Sequence, residues 1–564
     1  MKRDDSRIHA LLISPPVWTP IYPYLALPVL AAHLRRKGFS VGLYDASLDF
    51  FLDILPKAGG WSPGPLRDPE AFFEPQRLLG HLQLVRRLLV ALSREAGERL
   101  SAPWRGRLSV GFNSLRWPGA ASVEEMERLC EAEGNPFFSF CRDRLARRLE
   151  EEGPGVVGIS LSTPHQLLPS LTMGRFIKRR FPGIHVVLGG KHALALHGRF
   201  VGEPGLFGRF FDSLVPHQGE MPLEGLMEAL GSGRGLAGVP GVAYLEGAAV
   251  RVNPPPRPLA LEALPVPDFR GLPLGDYLVP RPFLPLRFSD GCYWGRCTFC
   301  SRHQQGPPRI IPADQAAGQL ARVAEQYGAR DFALNDDCLP PPYVEALCRR
   351  LLHMGLDVSL QLYARPDKGF TRKRLGLMAR AGVRELRWGI ESANPRILSL
   401  MDKGTDPDAT LRVLEDAAAA GIWNHACMIL GFPTETRQEA EQTLSWIRRN
   451  RDVVHSFYIF EFHLNNESRI YREPEAFGIR EIRQDPGPFS TLASFACESG
   501  MCREEVRGLV REARRELISE TYGHPFWYYL RDREYLQLYL ERYGLQAVAG
   551  MGVDPRDFSV TTSA

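Results

Sequence analysis

Apolar and polar positions along the 564-residue chain change period repeatedly, and the changes mark its elements. "IHALLIS" (8–14) is a short apolar run that stops at Pro15-Pro16, the pattern of a buried strand ending in a loop. The next segment has helical spacing up to Gly38, a good C-cap residue, and "FSVGLYDAS" returns to strand character. Further on, "VVGISLS" reads as strand, Pro169 to Phe181 as helix and "HVVLGG" as strand. "DSLVPHQGE" then reads as strand with the helix "PLEGLMEAL" behind it. Apolar strands alternating with amphipathic helices predict parallel βαβ units, hence an α/β fold with a doubly wound, Rossmann-like sheet over residues 1–250.

That sheet is interrupted by an insertion at about 51–150. It opens with Gly and Pro and continues as the periodic "QRLLGHLQLVRRLLVALSREAGERL". It reads as a helical cap on one sheet edge, or as a lid over a substrate site. Residues 251–285 are studded with proline and predict an extended linker. Beyond it the alternation restarts. Strand candidates are "PLRFSD", "DFALND", "VSLQLYA", "ELRWGIE", "HACMILG" and "SFYIFEF". Helices are expected at Ala316–Tyr327, Tyr343–Met354, Arg372–Ala381, Pro407–Ala420 and Thr434–Arg449. Six such units predict a partial (β/α)6 barrel over 286–465, with its chemistry on the loops at the strand C-termini. A mostly helical C-terminal region, 466–564, follows.

Composition narrows the partners. The net charge of +4 is small, and Lys and Arg alternate with Asp and Glu instead of forming stripes, which argues against nucleic acid. The N-terminus has no signal-peptide pattern, and the most apolar stretch, "YLALPVLAAHLRRKG", is too short and too interrupted to span a bilayer. Seven of the ten cysteines are scattered without a disulfide framework. Together these features predict a cytoplasmic protein with reduced thiols and no membrane partner.

The other three, Cys292, Cys297 and Cys300, crowd into "GCYWGRCTFCS" on the loop after the first barrel strand. Three thiolates can hold three irons of a cubane cluster and leave the fourth open to another ligand. Cys292, Cys297, Cys300 and His303 would also make a Cys3His zinc site. Inert thiols are the third reading.

At these residues the sequence resembles the radical S-adenosylmethionine (SAM) superfamily. "RFSDGCYWGRCTFCS" resembles its cluster loop, although four residues separate the first two cysteines where three are usual. "FALNDD", "YARPD", "RELRWGIESANPRILSLMDKGT" and "MILGFPTET" resemble the later strands of its barrel. The N-terminal half resembles the cobalamin-binding domain often fused ahead of that barrel, through "LALPVLAAHLRRKGFSVGLYDAS", "VVGISLS", "IKRRFPGIHVVLGGKHA" and "HQGEMPL". It lacks the Asp-x-His-x-x-Gly motif of many cobalamin domains, so the resemblance implies binding without a histidine ligand from that loop.

The resemblance implies that Cys292, Cys297 and Cys300 hold a [4Fe–4S] cluster whose open iron chelates SAM. It places Asp336 and Asp337 as acceptors for the SAM amine, with Arg365, Glu391 and Ser392 at the next two strand ends. Gly431 would admit the adenine, and Phe299 would pack on it or shield the cluster. Cobalamin would lie against Ser14 and Pro15, Ser160 and Ser162, Gly189 and Gly190, and Gly219 and Glu220. Cys338, Cys497 and Cys502 read by default as buried structural thiols, the other reading being an active-site thiol that donates hydrogen or a ligand to a second centre, and His165, His192 and His463 read as structural or solvent-facing. The activity implied is methyl transfer to an unactivated carbon of a small molecule or peptide, with electrons from a donor such as flavodoxin or ferredoxin. A radical SAM cyclisation, rearrangement or other fragment transfer is the first rival. A non-enzymatic zinc- or corrinoid-binding regulator is the second.

Overall fold

The computed structural model describes residues 8–302, 307–484, 487–530 and 532–558. It divides into one unit of Met1–Arg281 with Pro486–Ser490, and a second of Pro282–Asp485 with Thr491–Ala564.

The first unit is built on a seven-stranded sheet. Its strands are β1 (His9–Ser14), β2 (Ser40–Asp45), β3 (Val156–Ser160), β4 (His185–Gly189), β5 (Ser213–Val215), β6 (Ala243–Glu246) and β7 (Ala249–Val252). The order is β2-β1-β3-β4-β5-β6-β7, parallel through β5 and antiparallel at the β6–β7 edge. Every residue of β3 is buried, as expected of a central parallel strand covered on both faces. Helices α1 (Ala26–Arg36), α2 (Ala46–Lys57), α3 (Pro75–Arg99), α4 (Leu167–Arg180) and α5 (Glu220–Gly231) are the main connections. The strand order changes direction between β1 and β3, and such crevices at strand C-termini are where α/β sheets bind ligands. The insertion is helical, with α3 as its longest element, and includes a two-residue hairpin, Ser109–Val110 with Leu115–Arg116.

The second unit holds six parallel strands in sequential order: β8 (Phe283–Leu286), β9 (Asp331–Leu334), β10 (Ser359–Ala364), β11 (Val383–Glu391), β12 (Trp423–Leu430) and β13 (Ser456–Glu461). Between them run α6 (Ala313–Tyr327), α7 (Pro341–His353), α8 (Arg372–Arg380), α9 (Pro407–Ala419) and α10 (Arg437–Arg449). Local chemistry sets their ends. Gly328 closes α6 in the left-handed conformation, and a Thr436–Glu439 capping box opens α10. Leu360 and Leu362 of β10 and Leu386 and Trp388 of β11 are buried apolar positions. The alternate positions, Ser359, Gln361 and Arg387, are polar, and the C-terminal chain meets them there.

That chain first forms a three-stranded antiparallel sheet, Leu464–Asn465, Leu492–Cys497 and Ile479–Gln484, before turning helical at α11 (Arg503–Glu516). Its later helix α12 (Arg533–Tyr543) brings Gln537 to Ser359 and Glu534 to Gln361 (3.1 Å). Arg387 bonds Gln361 at 2.6 Å, and buried Arg533 bonds Ser456 at 2.7 Å. A polar network therefore fills one end of the open barrel, leaving the strand C-termini as the end available for chemistry.

Candidate functional site

The cluster loop leaves β8 through a short antiparallel pair, Ser289–Asp290 with Arg309–Ile310. Buried Asp336, just past β9, fastens it. One carboxylate oxygen accepts the backbone N–H groups of Phe288 (2.9 Å) and Ser289 (2.6 Å) and the Ser289 hydroxyl (2.6 Å). Burial nevertheless raises its pKa to about 6.

Cys292, Cys297 and Cys300 are half-buried on this loop, and none of them is in a disulfide. They lie close enough to raise one another's pKa, yet no three His, Cys, Asp or Glu side chains among the described residues converge on a single-ion site. Three thiolates on one loop suit a cluster, whose thiolates sit on separate irons. His303, the fourth zinc ligand in the alternative reading, lies outside the described residues. A hydrogen bond with Cys338 lowers the Cys292 pKa to about 6, whereas burial pushes Cys297 up to about 11.

Sequence reasoning passed over Lys403. It is buried, and its ammonium is 2.9 Å from Glu391 Oε1. Burial opposes its charge, but Glu391 and the Cys297 thiol outweigh burial and hold its pKa above the usual value. A cation beside the Cys292 and Cys297 thiols offsets the negative charge a thiolate-bound cluster would bring. Glu391 ends β11 with φ +70°, an uncommon conformation for a residue other than glycine, found most often where surroundings hold it for function. The missed signal was a basic residue in the loop after a barrel strand, "MDKGT".

Several expected SAM contacts have other work. Arg365 donates to the Lys403 carbonyl (2.9 Å), the Gly404 carbonyl (2.6 Å) and Asp367 (2.5 Å). Its guanidinium also lies 3.8 Å from the ring centroid of Trp294, whose indole N–H bonds the Asp402 carbonyl at 2.8 Å. Arg365 therefore clamps the cluster loop to the 402–404 loop, and these bonds take three of its five N–H donors. One oxygen of Asp336 is likewise a clasp, while the other, Oδ2, is buried without a hydrogen-bond partner and stays open as an acceptor. Ser392 is fully buried, 3.1 Å from the Thr443 hydroxyl, and supports the Asn394 cap. Gly431 has φ +80°, and a β-carbon there would come within 2.6 Å of Val506 on α11, so helix packing already fills that space. Phe299 packs with the apolar cluster around Ile397, Met401, Phe432 and Phe462, which favours shielding over adenine stacking. Asp337 is half-buried and pairs with Arg302 at 2.8 Å.

In the first unit, the expected residues lie along the C-terminal edge of the parallel strands. Buried Gln166 links two of their loops: its amide donates to the Pro15 carbonyl (2.9 Å) and accepts from the Ser162 N–H (3.0 Å). Ser160 and Ser162 face each other at 3.4 Å. Gly190 has φ +109°, and a β-carbon would meet the Leu161 carbonyl at 2.4 Å, so loop packing accounts for this glycine. Gly219 and Glu220 begin α5 on the same edge. At the end of β1, Ser14 Oγ, Trp18 Nε1 and Thr19 Oγ1 are buried without a hydrogen-bond partner. Orphaned buried donors are costly unless a ligand or water completes them, so this edge suits a large polar ligand. His192 is buried, and burial lowers its pKa to about 4; His165 bonds the Leu115 carbonyl. All ten cysteines are free, and among the described residues no helix is long and apolar enough to cross a membrane.

Residues 286–447 match the family model described as the radical SAM superfamily. An uncharacterised methyltransferase of Pyrococcus horikoshii is 30% identical over 312 residues, covering 54% of this chain and 66% of that protein. The curated relatives first matched are thus spanned over about half to two thirds of their own length. Among solved structures, the cobalamin-dependent SAM radical enzyme OxsB, with aqua-cobalamin and SAM bound, superposes with a TM-score of 0.62 at 14% identity. That alignment covers 95% of this chain and 72% of OxsB. The radical SAM methyltransferase TsrM of Kitasatospora setae, with cobalamin and a [4Fe–4S] cluster, gives 0.60 at 15% identity over 91% and 89% of the two chains. Residues 286–447 are thus similar to the radical SAM superfamily, and the two-unit fold is that of the solved cobalamin-dependent radical SAM enzymes.

Proposed function

We propose that the protein is a cobalamin-dependent radical SAM methyltransferase acting on an unactivated carbon of a small molecule or peptide. The observation that carries the reading is the grouping of Cys292, Cys297 and Cys300 on one loop at the barrel strand ends, with buried Lys403 beside the first two. The three thiolates would hold a [4Fe–4S] cluster, which supplies the electron that cleaves SAM to methionine and a 5′-deoxyadenosyl radical. Lys403 balances charge at the thiolates, and Glu391 and Asp337 are the carboxylates left facing the site. Arg365 and Trp294 hold the cluster loop in place, and Asp336 fixes its entry. In the first unit, Ser14, Trp18 and Thr19 would donate to bound cobalamin, with Ser160, Ser162 and Gln166 shaping the neighbouring loop. A low-potential donor such as flavodoxin or ferredoxin would supply electrons, and the solved methyltransferase TsrM supports methyl transfer over the other radical outcomes.

The test is anaerobic incubation of reconstituted protein with dithionite, SAM and candidate substrates, followed by mass spectrometry. S-adenosylhomocysteine together with 5′-deoxyadenosine is the expected product pair. 5′-Deoxyadenosine without S-adenosylhomocysteine would indicate a cyclase, a rearrangement or another fragment transfer. Neither product would point to a non-catalytic metal- or corrinoid-binding protein.

A further inference from the structure

Cys338 differs from the other buried thiols. Cys130 and Cys141 are buried in the insertion and Cys348 is buried on α7. Cys338 is also buried, at 5% exposure, but it stands four residues past β9 in an isolated parallel bridge with Cys292. The bridge sets these two residues side by side, close enough for each thiol to shift the other's pKa. The Cys338 sulfur also accepts the Arg365 backbone N–H, and the Lys403 ammonium is near. Arg365 and Lys403 thus anchor both Cys338 and the loop that carries the cluster thiols.

Once Cys292 ligates iron as a thiolate, it carries no proton and can only accept. Cys338 is then the partner that keeps an S–H. We propose that Cys338 donates a hydrogen bond to the Cys292 sulfur in the cluster-loaded protein and so raises the reduction potential of the cluster. A donor on a ligand sulfur withdraws electron density and favours the more negative, reduced cluster, one of the recognised determinants of iron–sulfur potentials. No bond is made or broken, and the proton stays on Cys338. The inference rests on the [4Fe–4S] reading above and adds to it a residue outside the three-cysteine motif.

The test is a redox titration of anaerobically reconstituted full-length protein without SAM, followed by electron paramagnetic resonance of the reduced cluster. Wild type is compared with Cys338→Ala and Cys338→Ser, with iron counted in each. The expected result is about four irons per chain in all three. Cys338→Ala should then titrate at a lower potential, and Cys338→Ser, which keeps a donor, between the two. An exchangeable proton coupled to the cluster in wild type should disappear in Cys338→Ala. Equal potentials with the proton coupling unchanged would overturn the inference. Loss of one iron on Cys338→Ala would also overturn it, because Cys338 would then be a ligand and not a donor. If wild type itself bound no four-iron cluster, the cluster reading would fail instead, so the two failures are distinct.

Discussion

The two sheets present their C-terminal strand ends in chemically different ways. At the barrel the edge is charged and nucleophilic: three thiols, a buried lysine, a glutamate held at positive φ, and an arginine stacked on tryptophan. At the doubly wound sheet the edge carries fewer charges, Asp45 and Glu220 among them, and more neutral groups: serines, a glutamine and a tryptophan N–H, several of them orphaned. A small, highly charged centre is held by a few strong, desolvated interactions, whereas a large planar ligand needs many weak donors and matching shape. Identical changes should therefore do most damage at the barrel edge.

The largest effect is expected from Cys297→Ala. Iron retention after reconstitution should collapse and 5′-deoxyadenosine should fall below detection, while hydroxocobalamin retention stays at the wild-type level. Concurrent loss of cobalamin would break the contrast between the two edges. Next comes Lys403→Met, which leaves Glu391 without its buried partner. Chemical denaturation of the cluster-free protein should show a loss of about 4 kcal/mol. A loss below about 1 kcal/mol would mean that Glu391 is solvated instead of paired.

Glu435 gives a pH-dependent effect. It is almost fully buried, accepts the Gly431 N–H at 2.5 Å, and burial raises its pKa from 4.5 to about 7. A carboxyl with a raised folded-state pKa contributes stability that is complete below the unfolded value, near 4.5, and is lost as pH rises through 7. Glu435→Gln keeps the acceptor and removes the titration. Relative to it, wild type should lose on the order of 3 kcal/mol between pH 4 and 8. Parallel pH profiles from thermal melts would contradict this.

Arg365→Ala removes a cation–π contact and two bonds to carbonyls, for about 2 kcal/mol of stability. As a loop clamp, its loss should weaken SAM binding to the reconstituted protein by less than tenfold. A hundredfold loss would restore Arg365 as a direct SAM contact. The smallest effect belongs to the less charged edge. Ser14→Ala should leave the ligand-free protein unchanged or up to about 1 kcal/mol more stable, because an orphaned hydroxyl is removed. Hydroxocobalamin affinity should fall about fivefold, the equivalent of one hydrogen bond.

Periodicity located the barrel closely. The strand expected at 385–391 spans Val383–Glu391, and the helix expected at 372–381 spans Arg372–Arg380. These elements follow from local alternation, which the chain carries residue by residue. The cysteines were legible because all their ligating potential lies within nine residues. The roles of Asp336 and Arg365 were not legible. Asp336 acts through Ser289, 47 positions away, and Arg365 through Trp294 and Gly404, contacts that spacing does not encode. Strand-end position alone suggested ligand binding for both, and their bonds across the loop add a holding role that position did not show. Lys403 was missed for the converse reason, since a lone lysine gains meaning only when Glu391 and the thiols surround it. The polar edge contributed by α12 likewise depends on pairings across more than 170 residues.

That one chain carries both a cluster and a corrinoid is tested most directly by counting them. Protein reconstituted anaerobically with iron, sulfide and hydroxocobalamin, then desalted, should retain about four irons and one cobalamin per chain. It should also show the optical spectra of both. A single zinc in place of iron, or no corrinoid retained beside a full cluster, would contradict the two-cofactor reading.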